Sequence, residues 1–277
     1  MANHIIQGND TDSMELRLDI SLDHTLGCGQ AHRWRKLDSG QWQGVIKNRL
    51  VTMTQTDGGL IFEGSSIGDV KEYLRYDDDL DSVYSELSEK DPYIADLASR
   101  CPGLRILKQP EWECLATYVL ATNANVKRIS KMVESVCDLF GTDIGGRSSF
   151  PTPKQILDRK ELLPQCRLGF REGRFLRLAE RTESGDIDVN AMCQMDYDTL
   201  VRELQTIDGV GPKVADCVAL FGFGKLEAFP VDVRIQHAVE NRYGVSGSYR
   251  TVSEFGRSRF GRYAGYAQEL LYHADFI

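Results

Sequence analysis

The chain has 277 residues, 42% of them hydrophobic and 27% charged, with a formal net charge of −8. This suits a soluble globular protein of one large or two moderate domains, long enough to bury a proper core. No apolar run approaches the roughly 20 residues that a membrane helix needs, and the first residues lack the basic-then-apolar pattern of a signal peptide, so an intracellular chain is expected. Residues 14–64 then read as β structure. MELRLDI alternates apolar and polar, as do short pieces around QWQGVI, LVTMTQ and LIFEG. Turn signals at Asp38-Ser39-Gly40 and Asp57-Gly58-Gly59 separate them, predicting an antiparallel sheet with one buried face. Within it, Gly27-Cys28-Gly29-Gln30 is a Gly-rich loop, read either as a plain strand entry or as backbone that approaches a ligand closely. His32, just beyond, is given no role.

From Ile67 the period turns helical. DVKEYLRY and SVYSELSEKDPYIADLASR are amphipathic, CLATYVLA is an apolar helix, and VKRISKMVESVCDLFG follows the interruption Asn123-Ala124-Asn125. Those Asn residues cap the next helix or face a polar partner. QILDRKELLPQCRLGF and EGRFLRLAERTESG read as helices separated by Leu168-Gly169-Phe170-Arg171, and the tail reads as helical from about Ala264. The seven cysteines (Cys28, Cys101, Cys114, Cys137, Cys166, Cys193 and Cys217) are scattered without a CxxC, which argues against a disulfide framework and against zinc. Acidic residues cluster in 77–91, basic ones in 167–177 and 250–262. A net acidic chain counts against nucleic-acid binding, but a local basic face is what matters, and this segregation suits one with an acidic back.

The most informative stretch runs from Leu204 to Asp232, LQTIDGVGPKVADCVALFGFGKLEAFPVD. A helix end turns on Gly209-Val210-Gly211, and a second helix starts at Pro212, a residue suited to a first helical position. The free N–H groups of that start form an anion site suited to a backbone phosphate. Lys213 stands at the mouth of the turn. Asp232 follows in Phe229-Pro230-Val231-Asp232, so a helical hairpin brings together a nucleophilic amine and a carboxylate.

This stretch resembles the helix-hairpin-helix glycosylase superfamily of base-excision repair, and Lys213 marks its bifunctional branch. Further blocks appear in order. They are Gly29-Gln30-x-x-Arg33-Trp34, Asn123-x-Asn125-x-x-Arg128-Ile129, Leu168-Gly169-Phe170-Arg171, Lys213-Val214-Ala215-Asp216-Cys217, Pro230-Val231-Asp232-Val233 and Tyr263-Ala264-Gly265-x-Ala267-Gln268. Over roughly residues 14–277 the chain resembles the 8-oxoguanine DNA glycosylase/lyase family. The resemblance implies an α+β fold of the HhH-GPD type, mostly α-helical with an N-terminal antiparallel β-sheet domain. Residues 1–105 would form that N-terminal α+β domain and residues 106–277 the helical hairpin-bearing catalytic domain, with a flipped nucleotide held between them.

The same resemblance assigns roles. Lys213 attacks C1′ and forms the Schiff base, helped by desolvation in a crevice and by a helix N-terminus, while Asp232 stabilises developing positive charge. Gly29, Gln268, Tyr272 and Cys217 surround the damaged base, the Gly29 carbonyl accepting the N7–H that 8-oxoguanine has and guanine lacks. Asn123, Arg128 and Arg171 hold the orphaned cytosine and Phe170 fills the gap. Gly209, Gly211 and Arg234 meet the DNA backbone. Three positions depart from the pattern: Ala124 where a third Asn is common, Arg234 where many relatives carry His, and Tyr272 where Phe is frequent. No organic cofactor and no catalytic metal are expected, though a structural cation at the hairpin carbonyls would fit. The expected partner is duplex DNA containing 8-oxoguanine, met by a monomer. Two competing readings are a glycosylase for another damaged base and a hairpin module that binds DNA without chemistry.

Overall fold

A computed structural model describes residues 13–274; residues 1–12 of the stretch inspected for a signal peptide, and residues 275–277 of the tail, lie outside it. Strand β1 (Met14–Arg17) is followed by helix α1 (Leu22–Gly27), then by β2 (Arg35–Lys36), β3 (Trp42–Ile46), β4 (Arg49–Thr56) and β5 (Gly59–Glu63). The strands form one antiparallel sheet in the order β1-β5-β4-β3-β2, so the first strand returns to pair with the last. The turn signals fall between strands as read, with Gly40 and Gly58 at positive φ. Leu16, Val51, Met53, Leu60 and Phe62 point to one buried face, the period-2 outcome of the alternating sequence. Helix α1 escapes the sequence reading. It is a six-residue turn started by Ser21, whose hydroxyl accepts from the His24 N–H, and too short to show a helical period.

Thirteen further helices follow among the described residues. They are α2 (Ile67–Tyr73), α3 (Leu80–Lys90), α4 (Pro92–Arg100), α5 (Glu111–Ala121), α6 (Val126–Phe140), α7 (Pro153–Leu157), α8 (Arg171–Glu183), α9 (Val189–Met192), α10 (Tyr197–Leu204), α11 (Pro212–Phe221), α12 (Val233–Tyr243), α13 (Tyr249–Phe260) and α14 (Ala264–His273). Asp91 ends α3 and caps α4, with Pro92 at the first helical position. Two readings need correction. The QILDRKELLPQC stretch is α7 plus a 3-10 segment over Lys160–Cys166, because Pro164 within it cannot donate to a helical ladder. The tail is helical well before Ala264. Helix α13 starts at the Ser248 cap and carries Gly256 in its interior, where a Cβ would sit 2.4 Å from the Phe229 ring. Close packing, not a break in the helix, explains that glycine.

The buried side chains form two cores. The smaller joins the sheet's inner face to α1 and α2, with Leu107 closing it. The larger runs from Leu80 in α3 through α14. A buried ionic cluster spans the two: Arg33, 4% exposed, lies 3.8 Å from Glu113 of α5 and 3.3 Å from Glu134 of α6, and also donates to the Ser148 carbonyl. The charge pattern differs from the expectation. Arg259 pairs with Asp91 at 2.7 Å, Arg262 with Glu86 at 2.6 Å, Arg257 with Asp198 and Arg250 with Glu254. The basic run 250–262 is thus matched by carboxylates of the chain itself, two of the four, Asp91 and Glu86, from the acidic run it was set against.

Candidate active site

The loop after α1 forms one wall of a cleft of about 310 Å³. Gly29 holds φ +95° there, a conformation that disfavours any side chain. Gln30 sets the loop. Its amide donates to the carbonyls of Thr25 (2.9 Å) and Arg105 (2.8 Å) and accepts from the Leu107 N–H, while its own carbonyl accepts from Gln109. Across the cleft stand Val126 and Ile129 at the start of α6, Lys213 and Cys217 of α11, Asp232 and Arg234 at the start of α12, and Gln268, Glu269 and Tyr272 of α14. Seven residues named from sequence therefore share one cavity: Gly29, Lys213, Cys217, Asp232, Arg234, Gln268 and Tyr272.

The hairpin is built as read. Gly209 lies at φ +87°, and a Cβ there would strike the Arg174 side chain at 2.7 Å. Gly211 starts α11 with no side-chain cap and open space beside it. The Asp208 carboxylate on the turn pairs with Arg174 and Arg177 of α8, which orients the turn. Below it, the buried Asp216 accepts from the hydroxyls of Tyr197 (2.5 Å), Tyr249 and Ser253 (3.3 Å), tying α10 and α13 to α11.

Asp232 caps α12: its Oδ1 accepts from the Ile235 N–H at 2.9 Å. Lys213 is exposed at the rim of the cleft in the DNA-free chain. An exposed residue here differs from the desolvated lysine that the sequence reading expects. The charge of Lys213 nevertheless reaches inward. Burial, then that nearby charge, holds the His32 imidazole down at about 4, so the ring is neutral at pH 7. Cys217 is pushed up to about 12 by burial, opposed by Lys213, and stays a thiol. Tyr272 is also raised to about 12, chiefly by burial, with the Arg234 guanidinium 5.3 Å from its ring centroid pulling the other way.

Sequence reasoning missed four cleft residues. His32 stands edge-on to Tyr118, and Tyr118 stacks on Phe221 at 6.1 Å, forming the aromatic floor. Glu269, 3% exposed, is raised to about 7 by burial, with the Cys28 thiol opposing and the Asp232 charge adding. Three residues that line this cleft also carry a buried side-chain atom without a hydrogen-bond partner: His32 Nδ1, Gln268 Oε1 and Glu269 Oε1. Each costs about 1–3 kcal/mol unless something satisfies it, so the cavity is built for a polar ligand.

Asn123, Arg128, Phe170 and Arg171 do not line the cleft; they gather beside it. Asn123, exposed at φ +53°, and Arg128 flank the α5–α6 turn, where Asn125 caps α6 by accepting from the Arg128 N–H. Arg171 is 3% exposed, and its guanidinium donates to the carbonyls of Thr122 and Asn123, which holds that turn. Phe170 is 56% exposed, with the guanidinium of Arg171 4.3 Å and that of Arg174 5.4 Å from its ring centroid.

A sheet lobe, a helical lobe and a hairpin at the mouth of the cleft between them make up the architecture of helix-hairpin-helix DNA glycosylases. Residues 15–115 match the family model described as 8-oxoguanine DNA glycosylase, N-terminal domain. The N-glycosylase/DNA lyase OGG1 of Arabidopsis thaliana is 30% identical over 93% of this chain and 78% of its own length. A solved structure of MBOgg1 in complex with a low-affinity DNA ligand superposes with TM-score 0.91 at 29% identity, over 99% of this chain and 98% of that one. The DNA-free 8-oxoguanine glycosylase/lyase of Clostridium acetobutylicum gives 0.89 at 25% identity, over 96% and 99%. The chain belongs to the 8-oxoguanine DNA glycosylase/lyase family. Among its described residues no helix is long and apolar enough to cross a membrane.

Proposed function

We propose that the chain excises 8-oxoguanine from duplex DNA and then nicks the strand by β-elimination, with Lys213 as the nucleophile. The observation that carries this reading is the convergence of Lys213 and Asp232 on a cleft that also holds Gly29, Gln268 and three residues with an unsatisfied polar atom. A flipped base would answer those atoms. The amine attacks C1′ and the base leaves. The covalent sugar opens to a Schiff base, proton loss at C2′ follows, and the 3′ phosphate departs.

Asp232 stabilises positive charge on the sugar while its other oxygen caps α12. Tyr272 and Cys217 flank the base, both uncharged at neutral pH, which suits stacking. Gln268 reads the pairing edge, and the Gly29 carbonyl accepts N7–H. Open N–H groups at Gly211, with Gly209 shaping the turn, take a phosphate, and Arg234 adds charge beside Tyr272. Phe170, exposed and flanked by arginines, wedges into the vacated stack. Asn123 and Arg128 meet the opposite base, with cytosine preferred, and Arg171 holds their turn in place.

Borohydride trapping on duplexes with 8-oxoguanine opposite C, A, G and T tests the reading, with base release and nicking scored separately. The intact chain forms an adduct most readily opposite C, and Lys213→Gln forms none. Asp232→Asn, which keeps a capping oxygen, slows both steps by about 10²-fold or more with duplex affinity nearly unchanged. An intact chain that binds the lesion duplex without an adduct would favour the non-enzymatic module instead.

A further inference from the structure

Away from the cleft, three donor atoms converge from three distant segments. His24 Nδ1 in α1 lies 3.0 Å from His273 Nε2 at the end of α14. One ligand atom each of His24, of His273 and of Cys101, at the C-terminal end of α4, lie within 4.8 Å of one another. We propose that His24, Cys101 and His273 bind one zinc ion, with water on the open side of His24 as the fourth ligand.

The geometry is close to what the ion requires. Two imidazole nitrogens at about 2.0–2.1 Å on a tetrahedral zinc stand about 3.3 Å apart, and a nitrogen and a thiolate sulfur at about 2.3 Å stand about 3.6 Å apart. The donor chemistry selects the metal class: two imidazoles and a thiolate suit a borderline-soft ion and not magnesium or calcium. The surroundings favour a cation too. Cys101 is the C-cap of α4 and His273 the last residue of α14, so the negative ends of two helix dipoles meet here. Cys101 is fully buried and His273 is 6% exposed, which shields the site on two sides, while the half-buried His24 leaves a way in.

The place of the site in the fold suggests its use, and this part rests on the function proposed above. Helix α1 runs directly into the loop of Gly29, and His273 directly follows Tyr272. A zinc ion would pin the loop that reads N7–H to the helix that carries Gln268 and Tyr272, fixing the width of the base pocket. The same pair of histidines could instead share a plain N–H···N hydrogen bond with no ion.

Metal analysis of the chain purified in zinc-containing buffer and then desalted separates the two. The expected result is about one zinc per chain, a thiolate-to-cobalt charge-transfer band on cobalt exchange, and a Tm rise of about 5 °C at zinc well above Kd. His24→Gln, on the open side, and Cys101→Ser lower zinc content about tenfold or more and lose the Tm rise, with circular dichroism confirming that both fold. Zinc far below one per chain with no Tm response overturns the site, as does zinc content unchanged in both variants. Borohydride trapping at Lys213 needs no zinc, so it reports on the proposed function whichever way the metal result falls.

Discussion

Glu269 shows how one buried side chain sets a pH response. Its carboxyl is raised from 4.5 to about 7, first by burial, with the Asp232 charge adding. Between those two values the folded chain keeps a proton that the unfolded chain has lost. Stability therefore falls as pH rises through about 4.5 to 7 and levels off above, the total being about 3 kcal/mol. Glu269→Gln keeps the shape without the charge. Urea unfolding at pH 4.5 and pH 8 should show the variant gaining on the parent by roughly that amount at the higher pH, and an equal difference at both would refute the assignment. Nothing in the sequence marked this residue. It follows Gln268 in the middle of a helix, and only packing against Cys28 and the cleft wall deprives it of water. His32 was silent for the same reason. A lone histidine in a glycine-rich loop has no periodic partner, and its low proton affinity comes from burial and from Lys213, 181 positions away by their numbers in the chain.

At the scale of the element, the hairpin was the most legible piece. Turn glycines, a first-position proline and the following lysine are local signals, and their conformations depend on neighbours within a few residues. Helix α13 was hidden for the opposite reason. Its interior glycine reads as a breaker until the Phe229 ring is seen to occupy the space of the missing Cβ. Gly256→Ala therefore should not stabilise, although alanine is favoured over glycine by about 1 kcal/mol in a helix. The methyl must displace a fully buried ring, so a net loss of about 1–3 kcal/mol is expected in urea unfolding. A gain would mean that the ring has room to move. The 3-10 segment at Lys160–Cys166 is the mirror case, with Pro164 a visible breaker inside an otherwise helical pattern.

Over the whole molecule, the cleft exists because two cores are held at a fixed distance, and the ionic cluster around Arg33 is a principal fastener between them. Glu113 is raised to about 7 by burial even with Arg33 opposing. Arg33→Met leaves that carboxyl buried without its nearest positive charge, and a loss of about 3 kcal/mol is expected. Adding Glu113→Gln to the variant should recover part of it, and additive losses in the double variant would show that the two do not interact.

The sequence alone determined the alternating strands, the turn positions and the hairpin with a lysine at its mouth, because each is written in neighbours or in a short repeat. Only the tertiary structure decided that Arg171 supports a turn from within, that the 250–262 arginines answer the chain's own carboxylates, that Lys213 waits exposed at the rim, and that His24, Cys101 and His273 meet. Burial, charge pairing and converging donors depend on residues far apart in the chain, and such distances leave no spacing for a sequence to display.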